Sequence, residues 1–164
     1  MRIGVIADTH LQSQQECRRF SDRLLDGPFH SVDMIFHAGD LGNSELLFCL
    51  APCPVVAVAG NTDRPHPELP PQRLLTLEGR RIVLAHGWGG GDSVAADLLR
   101  HFGPERPDVI VFGHSHVPEN RRVGKTLLFN PGSPTRPRSS VGATVGVLEI
   151  VGGEVAGEIL PWRD

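Results

Sequence analysis

The sequence predicts an α/β fold, and three observations lead to this prediction. Short apolar runs alternate with helical segments at the start of the chain, in the order that produces βαβ units. Polar residues follow these apolar runs directly, as expected where parallel strands end at a ligand-binding edge. The last third carries apolar runs separated by Gly-rich or Pro-rich turns, which is typical of antiparallel strands. We therefore expect two sheets face to face, with helices outside.

The first sixty residues have the pattern strand, helix, strand, helix, strand. The opening run is apolar at nearly every position, which is typical of a strand buried on both faces. Asn43 or Ser44 can cap the second helix. The predicted strands cover residues 1–7, 32–36 and 54–59, and the predicted helices cover residues 14–25 and residues 44 to about 50.

The pattern changes after the Pro-rich residues 64–71. Glu78-Gly79-Arg80 is a hairpin signal between two apolar runs, and a helix and a buried strand come next. No internal repeat or linker divides the chain, so we expect one domain over residues 1–164. The remaining predicted elements are strands 73–77 and 81–85, helix 93–102, strand 109–112, and the antiparallel strands 125–129, 143–151 and 155–160.

Composition excludes several classes of partner. Lys and Arg number 16 against 19 Asp and Glu, and no block of like charges forms a basic stripe for nucleic acid. No apolar run approaches the roughly 20 residues that a membrane helix needs, and the first residues carry no positively charged leader. We expect a cytoplasmic protein with no membrane or nucleic-acid partner.

Five predicted strands end in His, Asp or Asn. Any one of these residues alone is explained as a turn former or a surface group. Together, at the edge where strand ends converge, they indicate a metal site. Imidazole, carboxylate and amide oxygen without thiolate suit Mn²⁺, Fe²⁺, Zn²⁺ or Ni²⁺ and admit Mg²⁺ weakly. The residues are Asp8 and His10, Asp40, Asn61 with Asp63, His86, and His114 with His116.

The order of these residues resembles the motif series of one family. The series D-x-H, G-D, G-N-x-D, H-G and G-H-x-H is that of the calcineurin-like metallophosphoesterase superfamily. Within it, the chain resembles the small phosphodiesterases of the YfcE type, which are related to the retromer subunit Vps29. The motifs stand here as Asp8-Thr9-His10, Gly39-Asp40, Gly60-Asn61-Thr62-Asp63, His86-Gly87 and Gly113-His114-Ser115-His116, and Asn130-Pro131-Gly132-Ser133 is also typical of the subgroup.

The resemblance implies a four-layer αββα sandwich of two mixed sheets and a centre of two divalent ions, with Mn²⁺ favoured. Two such ions activate a bridging water as hydroxide and neutralise phosphoryl charge. The catalytic residues would be Asp40, Asn61 and His114. The first ion would take Asp8, His10, Asp40 and His116, and the second would take Asp40, Asn61, His86 and His114, with Asp40 bridging the two.

Other residues have supporting or open roles. Asp63 and His37 are expected behind the ligands, holding them by hydrogen bonds. Thr62 stands where many members of the superfamily have a His that acts as an acid, and a hydroxyl cannot do so near neutral pH. Trp88 either stacks on a substrate ring or packs over the rim of the site. Arg136 and Arg138 either reach a substrate phosphate or hold their turn to the sheet.

The function expected from the resemblance is hydrolysis of a small phosphodiester, or a phosphomonoester, by a metal-activated hydroxide. The main alternative is a Vps29-like scaffold that binds proteins without catalysis, but such decay removes metal ligands and none of the seven is missing. A nuclease is a third class, and its members generally carry added domains. The resemblance also allows a homo-oligomer.

Overall fold

The computed structural model describes residues 1–90 and 93–163 of the chain. Within these residues it has ten strands and three α-helices. The elements are β1 (Arg2–Ile6), α1 (Gln14–Asp26), β2 (Met34–His37), α2 (Glu45–Leu50), β3 (Val55–Ala57), β4 (Gln72–Leu77), β5 (Arg80–Ala85), α3 (Val94–Phe102), β6 (Val109–Val111), β7 (Glu119–Val123), β8 (Thr126–Asn130), β9 (Thr144–Val151) and β10 (Glu154–Pro161).

The strands form two five-stranded mixed sheets. The first sheet has the order β10-β9-β1-β2-β3, and β1, β2 and β3 run parallel. The second has the order β4-β5-β6-β8-β7, and β5, β6 and β8 run parallel. The predicted sandwich of two mixed sheets flanked by helices is confirmed. That residues 1–164 form one domain stays a prediction.

Three apolar layers hold the sandwich together. The central layer joins the facing sides of the two sheets and includes Ile3, Phe36 and Phe129. Helix α1 contributes Phe20 and Leu24 to a second layer, on the outer side of the first sheet. Helix α3 packs on the outer side of the second sheet in the third layer. Buried apolar side chains are the main source of stability, and here they also fix the two sheets relative to each other.

The hairpin of β7 and β8 differs from the sequence-based expectation. Strand β7 was not predicted, because its charged sequence is typical of an exposed sheet edge rather than of a buried strand. Strand β8 was expected among antiparallel strands, but it runs parallel to β6 and antiparallel only to β7. The short turn at Gly124 folds the hairpin so that its apolar strand lies inside the sheet.

None of the helices in the described part of the chain is long and apolar enough to cross a membrane.

Two glycines make room for one ring between the sheets. The fully buried Phe129 of β8 faces Gly146 of β9 and Gly157 of β10. A Cβ at Gly146 would lie 2.6 Å from Cζ of Phe129, and a Cβ at Gly157 would lie 2.6 Å from its Cδ2. Non-bonded carbon atoms do not approach this closely, and a close-packed interior leaves no space into which the ring could move. The ring therefore fits only while both positions lack a side chain.

We expect Gly146→Ala to lower the free energy of unfolding by about 2 kcal/mol, because the added methyl group overpacks the layer between the sheets. Urea unfolding of the variant measures the loss. Combining it with Phe129→Leu tests the cause, since the smaller side chain removes the clash. The double variant should then be destabilised by clearly less than the sum of the single changes. Additive losses would show that the methyl group acts elsewhere.

Candidate metal centre

The polar ends of the strands meet at one edge of the sandwich. The turn after β1 is tied to the turn after β2, since the Asp8 amide donates to the Gly39 carbonyl over 2.9 Å and the His10 amide donates to the Asp40 carbonyl over 3.0 Å. The two sheets are joined as well, because the His114 amide donates to Oδ2 of Asp8 over 3.0 Å. Backbone contacts thus place residues from both sheets around one point.

Backbone strain is concentrated at this point. Of the described non-glycine residues, seven have a positive φ, and five of these are predicted ligands. Each such conformation costs on the order of 1–2 kcal/mol, and strain of this kind collects at functional sites. The five residues and their φ angles are Asp8 (53°), His10 (43°), Asp40 (58°), His114 (68°) and His116 (59°).

One group of ligand atoms surrounds the ring of His116. Nδ1 of His116 lies 2.7 Å from the Arg136 carbonyl, to which it donates a proton. In the neutral ring, Nε2 then carries a lone pair. This Nε2 faces Nε2 of His10 at 3.3 Å and Oδ1 of Asp8 at 3.4 Å. Three electron-rich atoms this close together need a proton or a cation between them.

A second group surrounds His86. Its Nδ1 donates to the Ala38 carbonyl over 2.7 Å, so that in the neutral ring Nε2 carries the lone pair. This Nε2 faces Oδ1 of Asn61 at 3.1 Å and Oδ2 of Asp40 at 3.5 Å. Nδ1 of His114 lies 2.9 Å from the same Asn61 oxygen. The arrangement repeats that around His116, and a carbonyl that fixes the far nitrogen is typical of metal-binding histidines.

The two carboxylates lie between these groups. Oδ1 of Asp40 accepts the Thr62 amide over 2.8 Å, while Oδ2 lies 3.6 Å from Nε2 of His10 and 3.5 Å from Nε2 of His86. Asp8 has a similar position, with Oδ1 3.4 Å from Nε2 of His116 and 3.9 Å from Nε2 of His86. Both carboxylates therefore border both groups, and the role of Asp40 as the bridging ligand stays a prediction.

The charges at the centre fit a bound cation. Burial raises the pKa of Asp8 to about 7, although His86 opposes the rise. Burial alone would also raise the pKa of Asp40, but hydrogen bonds from a protonated His86 and from the Thr62 amide outweigh it and lower the pKa. Burial alone would lower the pKa of His86, but Asp40 and Asp8 outweigh it and raise the pKa, so that without metal a proton on Nε2 stands where a cation would bind. Burial lowers the pKa values of His10 and His116, so these rings are held neutral and ready to bind metal. A bound cation would supply the positive charge that neutralises the buried carboxylates.

We expect Mn²⁺ at about one hundred times its dissociation constant to stabilise metal-stripped protein by about 2.7 kcal/mol, because it binds only the folded state. For a chain of this size the melting temperature should rise by roughly 5–10 °C. Asp8→Asn is the matched variant. It removes a buried charge and keeps an acceptor for the His114 amide. Without metal, its melting temperature should therefore be no lower than that of the parent, and Mn²⁺ should raise it only slightly. An equal response from both proteins would exclude Asp8 as a ligand.

Asp63 and His37 both lie behind the ligand residues. Oδ2 of Asp63 accepts the amides of Asp40 and Gly60, each over 2.8 Å. His37 is fully buried, and burial lowers its pKa to about 3. Its Nδ1 accepts the Gly39 amide over 3.2 Å, so its Nε2 donates to Oγ1 of Thr9 over 2.9 Å. That the two residues support the metal ligands stays a prediction.

A cleft of about 460 Å³ opens above the ligand atoms. Its lining includes Thr62, Arg136 and Arg138. Trp88 is not among the described residues that line the cleft, and its ring packs edge-on against His101 with the centroids 5.3 Å apart. Substrate binding by Thr62 and Trp88 stays a prediction.

Comparisons with known proteins identify the family and the fold. Residues 1–153 match the family model of the calcineurin-like phosphoesterase superfamily domain. A "Probable metallophosphoesterase" of Methanothermobacter thermautotrophicus is 39% identical over 98% of this chain and 92% of its own. Phosphodiesterase YfcE of Escherichia coli is 32% identical over 58% of this chain and 52% of its own. The crystal structure of Vps29 from Chaetomium thermophilum shares the fold, with a TM-score of 0.75 at 20% identity over 99% of this chain and 98% of that one.

Proposed function

Because the chain belongs to the calcineurin-like phosphoesterase superfamily, we propose that it hydrolyses small phosphodiesters at a centre of two divalent metal ions. The observation that carries the proposal is the pair of ligand groups, around His116 and around His86, with the buried carboxylates of Asp8 and Asp40 between them. One cation in each group would remove the repulsion between the lone pairs that face each other there. Phosphoesterase activity follows from the family, and the preference for diesters rests on the relative YfcE.

Seven side chains would hold the metals. When bound, two ions would acidify a water molecule to make the nucleophile and would neutralise charge on the phosphoryl oxygens. The donor set suits Mn²⁺, with Ni²⁺, Zn²⁺, Fe²⁺ or Mg²⁺ as alternatives. Asp8, His10, Asp40 and His116 would hold the first ion, and Asp40, Asn61, His86 and His114 would hold the second.

The residues above the metals would select the substrate. Arg136 and Arg138 line the cleft and bring positive charge to the place where an anionic phosphoryl group would lie. Thr62 holds Asp40 through its amide, and its hydroxyl cannot protonate a leaving alkoxide near neutral pH. The chain would therefore favour esters of acidic alcohols over unactivated monoesters.

The test is hydrolysis of bis(p-nitrophenyl) phosphate and p-nitrophenyl phosphate by metal-stripped protein resupplied with Mn²⁺, Ni²⁺, Zn²⁺ or Mg²⁺. We expect turnover only with added metal and a higher kcat/KM for the diester. A folded protein that stays inactive with every metal would sink the proposal. A higher kcat/KM for the monoester would leave the metal centre standing and overturn the preference for diesters.

The scaffold alternative is not favoured. Loss of ligands is the expected mark of a decayed centre, and all seven ligand positions keep their residue types. Five of these positions also have a strained backbone, and a surface that only binds proteins would gain nothing from that strain.

A further inference from the structure

A second cavity, of about 340 Å³, opens directly beside the metal cleft. The two share His10 and Arg136 in their linings. The Arg136 backbone at their border is fixed, since its carbonyl accepts from His116 and its amide donates to Oγ of Ser133 over 2.9 Å. A molecule with its phosphoryl group over the metals would pass this border to enter the second cavity.

The cavity has an apolar floor. Leu11, Phe20 and Trp162 line it and are each less than a tenth exposed, and Pro134 is buried beside them. The rings of Phe20 and Trp162 pack against each other with the centroids 5.1 Å apart. Small-molecule sites are concave, largely apolar and upward of roughly 300 Å³ in volume. This cavity meets the size condition at the lower end of the range, and its lining combines this apolar floor with polar residues.

The rim is polar and its charge favours an anion. Arg19 and Arg136 stand on the rim together with Glu16. Oε2 of Glu16 accepts the amides of Gln12 over 2.7 Å and Ser13 over 3.4 Å. With two guanidinium groups against one carboxylate, the lining carries a net positive charge, which suits a molecule with a phosphate on one side and an apolar ring on the other.

The wall next to the metals is rigid. Oγ1 of Thr135 donates to the Thr9 carbonyl over 2.8 Å and lies 3.4 Å from the Asp8 carbonyl. The amide of Trp162 donates to the Ala143 carbonyl over 2.8 Å, which anchors the chain after β10. Because these residues are already held in place, a ligand that fills the cavity loses little binding free energy to ordering them.

From these observations we infer that the cavity lined by Phe20 and Trp162 is a subsite for an aromatic or heteroaromatic alcohol of the diester. The inference deepens the proposed function and rests on it for the position of the phosphoryl group. It assigns ring recognition to Trp162, and not to Trp88. Sequence reasoning missed this subsite, because α1 and the segment after β10 meet only in the folded chain.

The test measures binding, so it needs no turnover. The probes are 4-nitrobenzylphosphonate, which carries a ring and a P–C bond that is not an ester, and methylphosphonate, which lacks the ring. Their affinities for Mn²⁺-loaded protein are measured by titration calorimetry. We expect the ring-bearing probe to bind about tenfold more tightly, as an aromatic ring that packs on an apolar floor should.

The two tryptophans of the chain provide a matched pair of variants. Trp162→Leu should bring the affinities of the two probes to within about twofold of each other and leave methylphosphonate binding unchanged, which also shows that the variant is folded. Trp88→Leu should keep the tenfold preference. If Trp162→Leu does not fold, Phe20→Leu takes its place with the same expectation.

The outcomes separate this inference from the proposed function. A preference lost in Trp88→Leu and kept in Trp162→Leu would overturn the inference and assign the ring to Trp88. Equal affinities for both probes in the parent protein would overturn it as well. Absence of diester hydrolysis beside a preference that depends on Trp162 would overturn the proposed function and leave the cavity as a ring-binding site for another phosphoryl compound.

Discussion

Replacing Asp40 with Asn will lower kcat/KM for bis(p-nitrophenyl) phosphate by at least about 10³-fold in Mn²⁺-loaded protein. Oδ2 of Asp40 faces His10 at 3.6 Å and His86 at 3.5 Å, so loss of its charge would weaken both predicted ion sites at once. Metal ions contribute several kcal/mol to phosphoryl transfer, and each 1.36 kcal/mol is a factor of ten in rate.

Asn is a better replacement than Ala at this position. Asp40 has a φ of 58°, which Asn tolerates and Ala does not, and Asn can still accept the Thr62 amide. The loss of activity can then be read without a loss of the fold. The control is Asp108→Asn, which changes a carboxylate that accepts the Arg81 amide outside the metal centre. Asp108→Asn should keep its kcat/KM. An Asp40→Asn enzyme within tenfold of the parent would show that Asp40 does not bridge the metals.

The fold was predictable because its signals are local. Apolar runs and turn residues mark each buried strand, and the carboxyl ends of parallel strands converge wherever such a sheet forms. The positions of Asp8 and Asp40 at one edge of the first sheet follow from that rule. His86 follows β5 of the second sheet and reaches them only because the two sheets pack face to face.

The features that escaped prediction depend on contacts between distant segments. Strand β7 carries the sequence of an exposed edge, so nothing in its own composition shows its pairing with β8. The subsite of Phe20 and Trp162 joins residues more than a hundred positions apart. The slot for Phe129 needs glycines on two strands of the opposite sheet. Sequence patterns indicate which face of a helix or strand is buried. The shape of a cavity depends on how these elements pack against one another, which no local pattern records.

The contacts of Asp63 lead to the second large effect. Its carboxylate accepts three backbone amides, from Asp40 and Gly60 over 2.8 Å each and from Gly42 over 3.2 Å. It therefore ties the turn after β2 to the turn after β3, which carry the predicted ligands Asp40 and Asn61. Hydrogen bonds to a charged acceptor are stronger than neutral ones, and a donor left without a partner loses more than the bond itself.

We expect Asp63→Ala to lower the free energy of unfolding by about 3 kcal/mol, as measured by urea unfolding of metal-stripped protein. The affinity for Mn²⁺, measured by titration calorimetry, should fall by roughly 10–100-fold, because Asp40 is no longer held in place. Asp63→Asn keeps an acceptor without the charge and should lose less of both.

Asp108→Ala separates the two effects. Asp108 also accepts a backbone amide, that of Arg81 over 2.8 Å, and it pairs with Arg80 at the far end of the second sheet. Its loss should cost stability and leave the affinity for Mn²⁺ unchanged. If Asp63→Ala behaved in the same way, its carboxylate would serve the fold alone. If Asp63→Ala lowers both the free energy of unfolding and the affinity for Mn²⁺, the hydrogen bonds of Asp63 hold the two turns in the geometry that binds metal. The same bonds would then stabilise the fold and position the metal ligands.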